Sequence, residues 1–404
     1  MKKLYYRPQK ISSGSLLFLA ALSVVTVLTL RAMPNQMAGW STMVAGLYGI
    51  PDLKDRMLEA SERANTAFDA IHAKRLELGH PLLDAQDPAD TGMVGPSMSA
   101  VTTLPGHLPA KQTSINPNFA AVAMRLLVDA GVRPGDRIAI GCTGSFPALN
   151  IAVYSAAESL GARPTIISSA ASSQFGANSA DMMWPDIEKL LADEGILAYR
   201  SLEISRGGFR DRAAGMSDDT RAILDAAIER SGVPLMDSID DIDAIERRMV
   251  AYSKAAEDET YAAYINVGGG DASVGGTEGN DSIGEGLITP KQLATIQKKA
   301  SSPAAVDCVA TRFLASGVPV INMINVVALA NQYGLPIAST TKVEVGQGTV
   351  FTIIDPRRVL ALIGIFFITA ATAIVVKPPH RVTKWLQRKG WFGEQPKDQP
   401  QYMV

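Results

Sequence analysis

The sequence predicts an α/β domain, a mostly parallel sheet with flanking helices, set between one N-terminal and one C-terminal transmembrane helix. Three observations carry this. Short apolar segments alternate with helical segments through the middle of the chain, the pattern of βαβ units. One such unit, Arg137 to Ser168, is complete and unbroken. Two uncharged apolar runs, Ile11–Leu30 and Val359–Val376, stand near the two ends. Twenty helical residues at ~1.5 Å each span roughly 30 Å, the thickness of a bilayer's hydrocarbon core.

The flanks of those runs orient the chain. Lys2, Lys3, Arg7 and Lys10 precede the first; Lys377, His380, Arg381, Lys384, Arg388 and Lys389 follow the second. Positive flanks stay cytoplasmic. Tails 1–10 and 377–404 are therefore expected inside, and residues 31–358 outside the inner membrane, in the periplasm. Arg31, Arg357 and Arg358 at the opposite ends of the runs work against this. A cleaved signal peptide is the alternative for the first run, but its apolar core is long and Ala32-Met33-Pro34 is a poor cleavage site. A buried core helix is the alternative for the second. Ile363, Ile365, Phe366, Phe367 and Ile368 make that run apolar on all sides, which favours lipid.

Composition excludes several partners and cofactors. Net charge is −2, with no basic stripe for nucleic acid. The two cysteines, Cys142 and Cys308, are too few for a disulfide framework, and their spacing leaves pairing open. None of the four histidines is spaced with another as metal ligands are. Asp271, Glu278, Asp281 and Glu285 lack the spacing of a calcium loop and read as a solvated acidic stretch. Neither a dinucleotide fingerprint nor a P-loop is present, so no cofactor is expected.

Between the apolar runs, a juxtamembrane helix is predicted over 51–78. Leu53, Met57, Ala60, Ala64, Ala67 and Ile71 recur at spacings of three and four, and Gly79 stops it. Residues 80–115 are rich in Pro, Gly, Ser and Thr, long for a plain connection, and so functional or wrapped on the surface. Asn116-Pro117 opens a helix to Ala130. Strand Arg137–Gly141, helix Pro147–Gly161 and strand Arg163–Ser168 form the βαβ unit, with parallel strands and a right-handed crossover. Helices are expected over Trp184–Glu194, Ala222–Ser231 and Asp241–Ala256, then a strand over Tyr261–Val267 ending in Gly268-Gly269-Gly270. Thr289-Pro290 caps a helix to Lys299, and Pro303–Ser316 forms another. Strand Val318–Met323, helix Ile324–Tyr333 and a last strand at Pro336–Ala338 complete the domain.

Ligands of such sheets bind beyond the carboxyl ends of the strands. Here those ends share hydroxyls and glycines: Cys142-Thr143-Gly144-Ser145; Ser168-Ser169-Ala170-Ala171-Ser172-Ser173; Gly268-Gly269-Gly270-Asp271 and then Gly275-Gly276-Thr277; and Ser339-Thr340-Thr341-Lys342. The turn at Thr143–Phe146 joins a strand to a helix, with Ser145 as the expected cap. Free N–H groups at that start suit an anion, a carboxylate or a phosphate. The bland alternative is that Ser145 only caps the helix. A nucleophile is the other: Ser145 on a strand–turn–helix junction, activated by His107 or Lys111, although the local order is not G-x-S-x-G.

Several stretches together resemble the poly-gamma-glutamate system protein family of bacteria. They are Gly92–Gly95 with Thr102-Thr103, Ala110–Ala120, Gly144–Asn150, and Ser168-Ser169 followed by Gly176-Ala177-Asn178. Cys142-Thr143 departs from a serine that often precedes the glycine. The resemblance implies a cell-envelope protein that works beside the membrane-bound synthase of poly-gamma-glutamate, a capsule-forming polyanion. It carries over no catalytic residue.

The favoured expectation is an accessory protein of polymer synthesis or export. Its cleft would bind polymer or synthase subunits through Thr143, Gly144, Ser145, Asn150, Ser168, Ser169, Gly269, Gly270 and Asp271, with Lys111 and Lys342 supplying charge. The alternatives are a serine hydrolase or gamma-glutamyl transferase using Ser145, and a structural scaffold of a membrane complex.

Overall fold

The computed structural model describes residues 13–32, 50, 52–81, 85–352 and 356–376. The chain forms two compact units, residues Thr42–Ile353 and a pair of helices contributed by the two ends.

The larger unit is an α/β domain built on a six-stranded, mostly parallel sheet. Its strands are β1 (Arg137–Thr143), β2 (Arg163–Ser169), β5 (Glu203–Ser205), β6 (Ala263–Val267), β7 (Gly286–Ile288) and β8 (Val320–Met323), in the order β5-β2-β1-β6-β8-β7. Every pair is parallel except β7 with β8. A two-stranded hairpin, β3 (Asn178–Ser179) and β4 (Met182–Met183), stands apart.

Alternate residues of β1 serve different layers, as the pleat requires. Cys142 Sγ lies 3.6 Å from the hydroxyl of Tyr154 in α5 (Pro147–Leu160). Ala139 joins Tyr252, Tyr264 and Phe313 in a second apolar cluster. Helix α5 is buried on nearly all sides. It packs against α2 (Leu53–Glu77) and α4 (Phe119–Asp129). The expected stripe of α2 is buried at all six positions, so this helix lies on the domain body. On the other layer, α8 (Asp241–Ala256) and α12 (Val309–Ala315) bring in Tyr252 and Phe313. Phe313 stacks on Tyr264 at 4.8 Å between ring centres, and the Tyr252 hydroxyl donates to the Ile140 carbonyl at 2.7 Å.

Several elements differ from the sequence expectation. The helix expected from Pro117 begins at Phe119, because the Asn116 side chain accepts the Asn118 N–H at 2.9 Å and holds a turn. The helix expected over Pro303–Ser316 is broken. Asp307 and Cys308 are extended, leaving a 3₁₀ turn at Pro303–Val306 and then α12. Pro336–Ala338 is not a strand; the antiparallel edge strand is β7. The acidic stretch from Asp271 is helical, as α9 (Asp271–Val274) and α10 (Gly276–Ile283). Helix α3 (Leu108–Ser114) lies within the segment expected to be irregular. The remaining helices are α6 (Trp184–Asp193), α7 (Asp218–Ser231), α11 (Leu293–Lys299) and α13 (Val326–Tyr333). Cys142 and Cys308 are both buried and unpaired.

The second unit pairs α1 (Ser13–Ala32) with α14 (Pro356–Val376). Their side chains are described over 16–28 and 361–373. Leu17, Phe18, Leu362, Phe366 and Phe367 all point outward, each more than half exposed. Over the described residues no helix is long and apolar enough to cross a membrane. Ile11, Ser12 and both basic tails lie outside the described residues.

Candidate functional site

The chain runs outward from β1 through β2 to β5, then returns to β6 on the other side of β1. The order therefore reverses between β1 and β6, and the loops leaving these two strands diverge. Ligand crevices of open α/β sheets form at this point. A cavity of about 240 Å³ lies there. Thr143, Ser145 and Phe146 line it from the turn after β1, Ser169, Ala171 and Ser173 from the loop after β2, and Gly269, Gly270 and Asp271 from the loop after β6.

Each wall has a local cause. The turn after β1 is tied down by Asn150, whose side chain donates to the Thr143 carbonyl at 2.9 Å. Gly144 donates its N–H to the Ser169 carbonyl, and a side chain there would sit 2.8 Å from the Ala170 carbonyl oxygen. The loop after β6 is held by two fully buried asparagines. Asn266 donates to the Gly268 carbonyl and to Asn322, and Asn322 donates to the Gly284 carbonyl, all at 2.7–2.8 Å. Gly268 has φ +90°, and a Cβ there would strike the Thr143 hydroxyl.

A roof crosses the cavity from Gly207 to Met216. Arg210, Asp211 and Ala213 all hold positive φ, a conformation non-glycine residues adopt at a cost. A buried ion pair keeps them there. Arg248 of α8 donates to Asp211 at 2.6 Å and to the Ser205 hydroxyl at 2.8 Å, and Ser205 donates in turn to Asp211. Asp271 accepts the Arg210 N–H at 2.9 Å. Burial raises the Asp271 carboxyl above the usual range, and Asp241 and Asp211 add to this.

Beneath the wall lies Lys111 of α3, 3% exposed. Its ammonium donates to the Ser145 carbonyl and to the Ser173 hydroxyl, the latter at 3.0 Å, and sits 3.9 Å above the centre of the Phe146 ring. Burial pushes it down to about 7. Among the described residues no carboxylate pairs with it.

The sequence-predicted residues thus fall into groups. Thr143, Ser145, Ser169, Gly269, Gly270 and Asp271 line one cavity. Gly144 and Asn150 shape its wall from behind. Ser168 is elsewhere, fully buried and 2.7 Å from the Ser201 hydroxyl. His107 is exposed at the start of α3, and its ring bonds to neither Ser145 nor Lys111 among the described residues. Ser145 does not cap α5 with its side chain; its hydroxyl accepts the Ser173 N–H at 3.1 Å. Lys342 is outside the cavity, exposed and paired with Asp69 at 3.2 Å. Among the described residues no lysine or arginine lines the cavity, and Asp211 and Asp271 are its charged side chains.

Phe209, Asp211, Arg248 and Asn266 belong to the site and were not singled out from the sequence, and Ser173 stood there only as one hydroxyl of the Ser168–Ser173 run. Asn266 carried a signal, an amide inside the apolar run Tyr261–Val267 directly before three glycines. Arg248 carried none, since it reads as one of several charges on an amphipathic helix. Comparison with known proteins finds no matching family model, no matching curated protein and no matching solved structure.

Proposed function

We propose that this chain is a membrane-anchored accessory protein of poly-gamma-glutamate synthesis or export, and that its switch-point cavity takes the end of a gamma-glutamyl chain. One observation carries the reading. Parts of all four stretches that resemble the poly-gamma-glutamate system family lie at or beside the cavity. Gly95 donates to the Phe175 carbonyl, Thr103 to the Ser172 carbonyl, Asn178 to Thr102, and Lys111 to Ser145 and Ser173. Stretches that merely stabilised the fold would have no reason to meet beside its cavity.

The chemistry of the walls suits a chain end rather than a long polyanion. Among the described residues no cation lines the cavity. A terminal carboxylate fits the uncapped start of α5 and the hydroxyls of Thr143, Ser145 and Ser169. The terminal ammonium fits the half-buried carboxylate of Asp271. Anchoring at both ends, with the domain outside the inner membrane, rests on the apolar runs, their basic flanks and the outward-facing apolar side chains of α1 and α14.

Calorimetry of the full chain in detergent with tri-gamma-glutamate tests the reading. Wild type binds, and Gly144→Val, Ser145→Ala and Asp271→Asn each weaken binding by roughly tenfold, about 1.4 kcal/mol. Absence of binding to gamma-glutamyl peptides and to the synthase alike overturns it.

A further inference from the structure

Ser173 and Lys111 have a geometry that binding alone does not need. We propose that they form a serine–lysine pair, with Ser173 as nucleophile and Lys111 as its base, giving the cavity an acyl-transfer activity on amide or ester bonds.

The pair is built rather than incidental. Ser173 is half-buried and lines the cavity, with its hydroxyl 3.0 Å from the Lys111 nitrogen. Its backbone is fixed on both sides: its N–H donates to the Ser145 hydroxyl, and its carbonyl accepts from Ser172 and Gly176. Lys111 approaches from behind, 3.0 Å away, shielded from water by the Phe146 ring and by burial. It meets a carbonyl, a hydroxyl and an aromatic face, and no charged side chain pairs with it among the described residues. As an ammonium, Lys111 donates to both the Ser145 carbonyl and the Ser173 hydroxyl; in the neutral form that acts as base, one N–H keeps the Ser145 carbonyl and the lone pair accepts the Ser173 hydroxyl proton. A buried lysine without a counterion is costly to keep charged, and desolvation is the means by which lysines become bases near neutral pH. Here burial brings the group to about 7.

The step balances. The Ser173 oxygen bonds to the carbonyl carbon while its proton passes to Lys111. The carbon–leaving-group bond then breaks, and Lys111 returns the proton to the departing amine or alcohol. Water attacks the acyl-serine, Lys111 takes a proton from it, and Ser173 recovers that proton as the acid leaves. A second amine in place of water gives transfer instead of hydrolysis. Ser145, by contrast, has a hydroxyl that accepts the Ser173 N–H and no base bonded to it among the described residues. This activity goes beyond the binding proposed above and stands or falls separately from it.

The test is acetylation of the full chain in detergent by p-nitrophenyl acetate, read by nitrophenolate release and by peptide mapping. The acetyl group is expected on Ser173, with release falling roughly 100-fold in Ser173→Ala and in Lys111→Met. The wild-type rate should rise with pH through an inflection near 7. A second variant guards against misfolding: in Ser173→Cys, iodoacetamide should alkylate the thiol at least about tenfold faster at neutral pH than when Lys111→Met is added. Acetylation of Lys111 with Ser173 unmodified overturns the proposal. So does release unchanged in Ser173→Ala, or equal alkylation with and without Lys111.

Discussion

Glu188 of α6 has nowhere to put a charge. It is 3% exposed, and Tyr154 and Ser201 both donate to Oε1 at 2.7 Å. No cation bonds to it among the described residues. Burial is the largest influence on the carboxyl and raises it, against the hydrogen bonds from Ser201 and Tyr154. The folded protein therefore keeps a proton that the unfolded chain releases above about pH 4.5. Stability falls as pH rises from there toward the raised value. Gln presents the same acceptor with no proton to lose. Melting temperature should thus decline less between pH 5 and 8 in Glu188→Gln than in wild type, and identical slopes would contradict the account. Ser201 and Ser168 extend the same network, which is why Ser168, legible as a polar strand end, faces the interior rather than the cavity.

At the scale of elements, tight loop packing decides the wall of the site. Gly176 lies against the turn after β1, and a Cβ there would sit 2.3 Å from the Ser172 hydroxyl oxygen and 2.7 Å from the Ser145 carbonyl. Backbone atoms give way poorly, so Gly176→Ala should cost roughly 2 kcal/mol by denaturant unfolding and displace Ser145. An unchanged midpoint would mean that the loop moves freely.

The elements legible in the sequence were those whose apolar pattern is long enough to have a period. Strands β1 and β2, helix α5 between them, and the stripe of α2 fall in this group. Of the expected hydroxyls and glycines at the strand ends, Thr143, Ser145, Ser169, Gly269 and Gly270 do meet at one cavity, whereas Ser168 faces the interior and Ser339–Lys342 follow no strand. The three-residue β5 and β7 were not legible, since Glu203–Ser205 and Gly286–Ile288 are too short for alternation to register. The run Asp271–Ile283 reads as a loop because its glycines mask helices whose stability comes from packing. Ser173 was legible as one hydroxyl of the Ser168–Ser173 run, but its pairing was hidden for another reason. Its partner Lys111 is remote in sequence, and nothing local marks a lysine as buried.

At the scale of the whole molecule, the two ends of the chain meet each other. Gly364 of α14 packs so closely on Thr26 of α1 that a Cβ would lie 2.4 Å from the Thr26 methyl. Small residues at helix crossings let backbones approach closely. Gly364→Leu should separate the pair. Cysteines placed instead at Thr26 and Gly364 should cross-link readily, and failure to cross-link would refute the contact.

The roof from Gly207 to Met216 has a consequence for selectivity. Its unusual backbone is clamped by Arg248 from outside the chamber, so its shape does not wait for an occupant. A guest finds its berth already cut to size. Little ordering entropy remains to be lost on entry, and a guest one group too large is refused instead of accommodated.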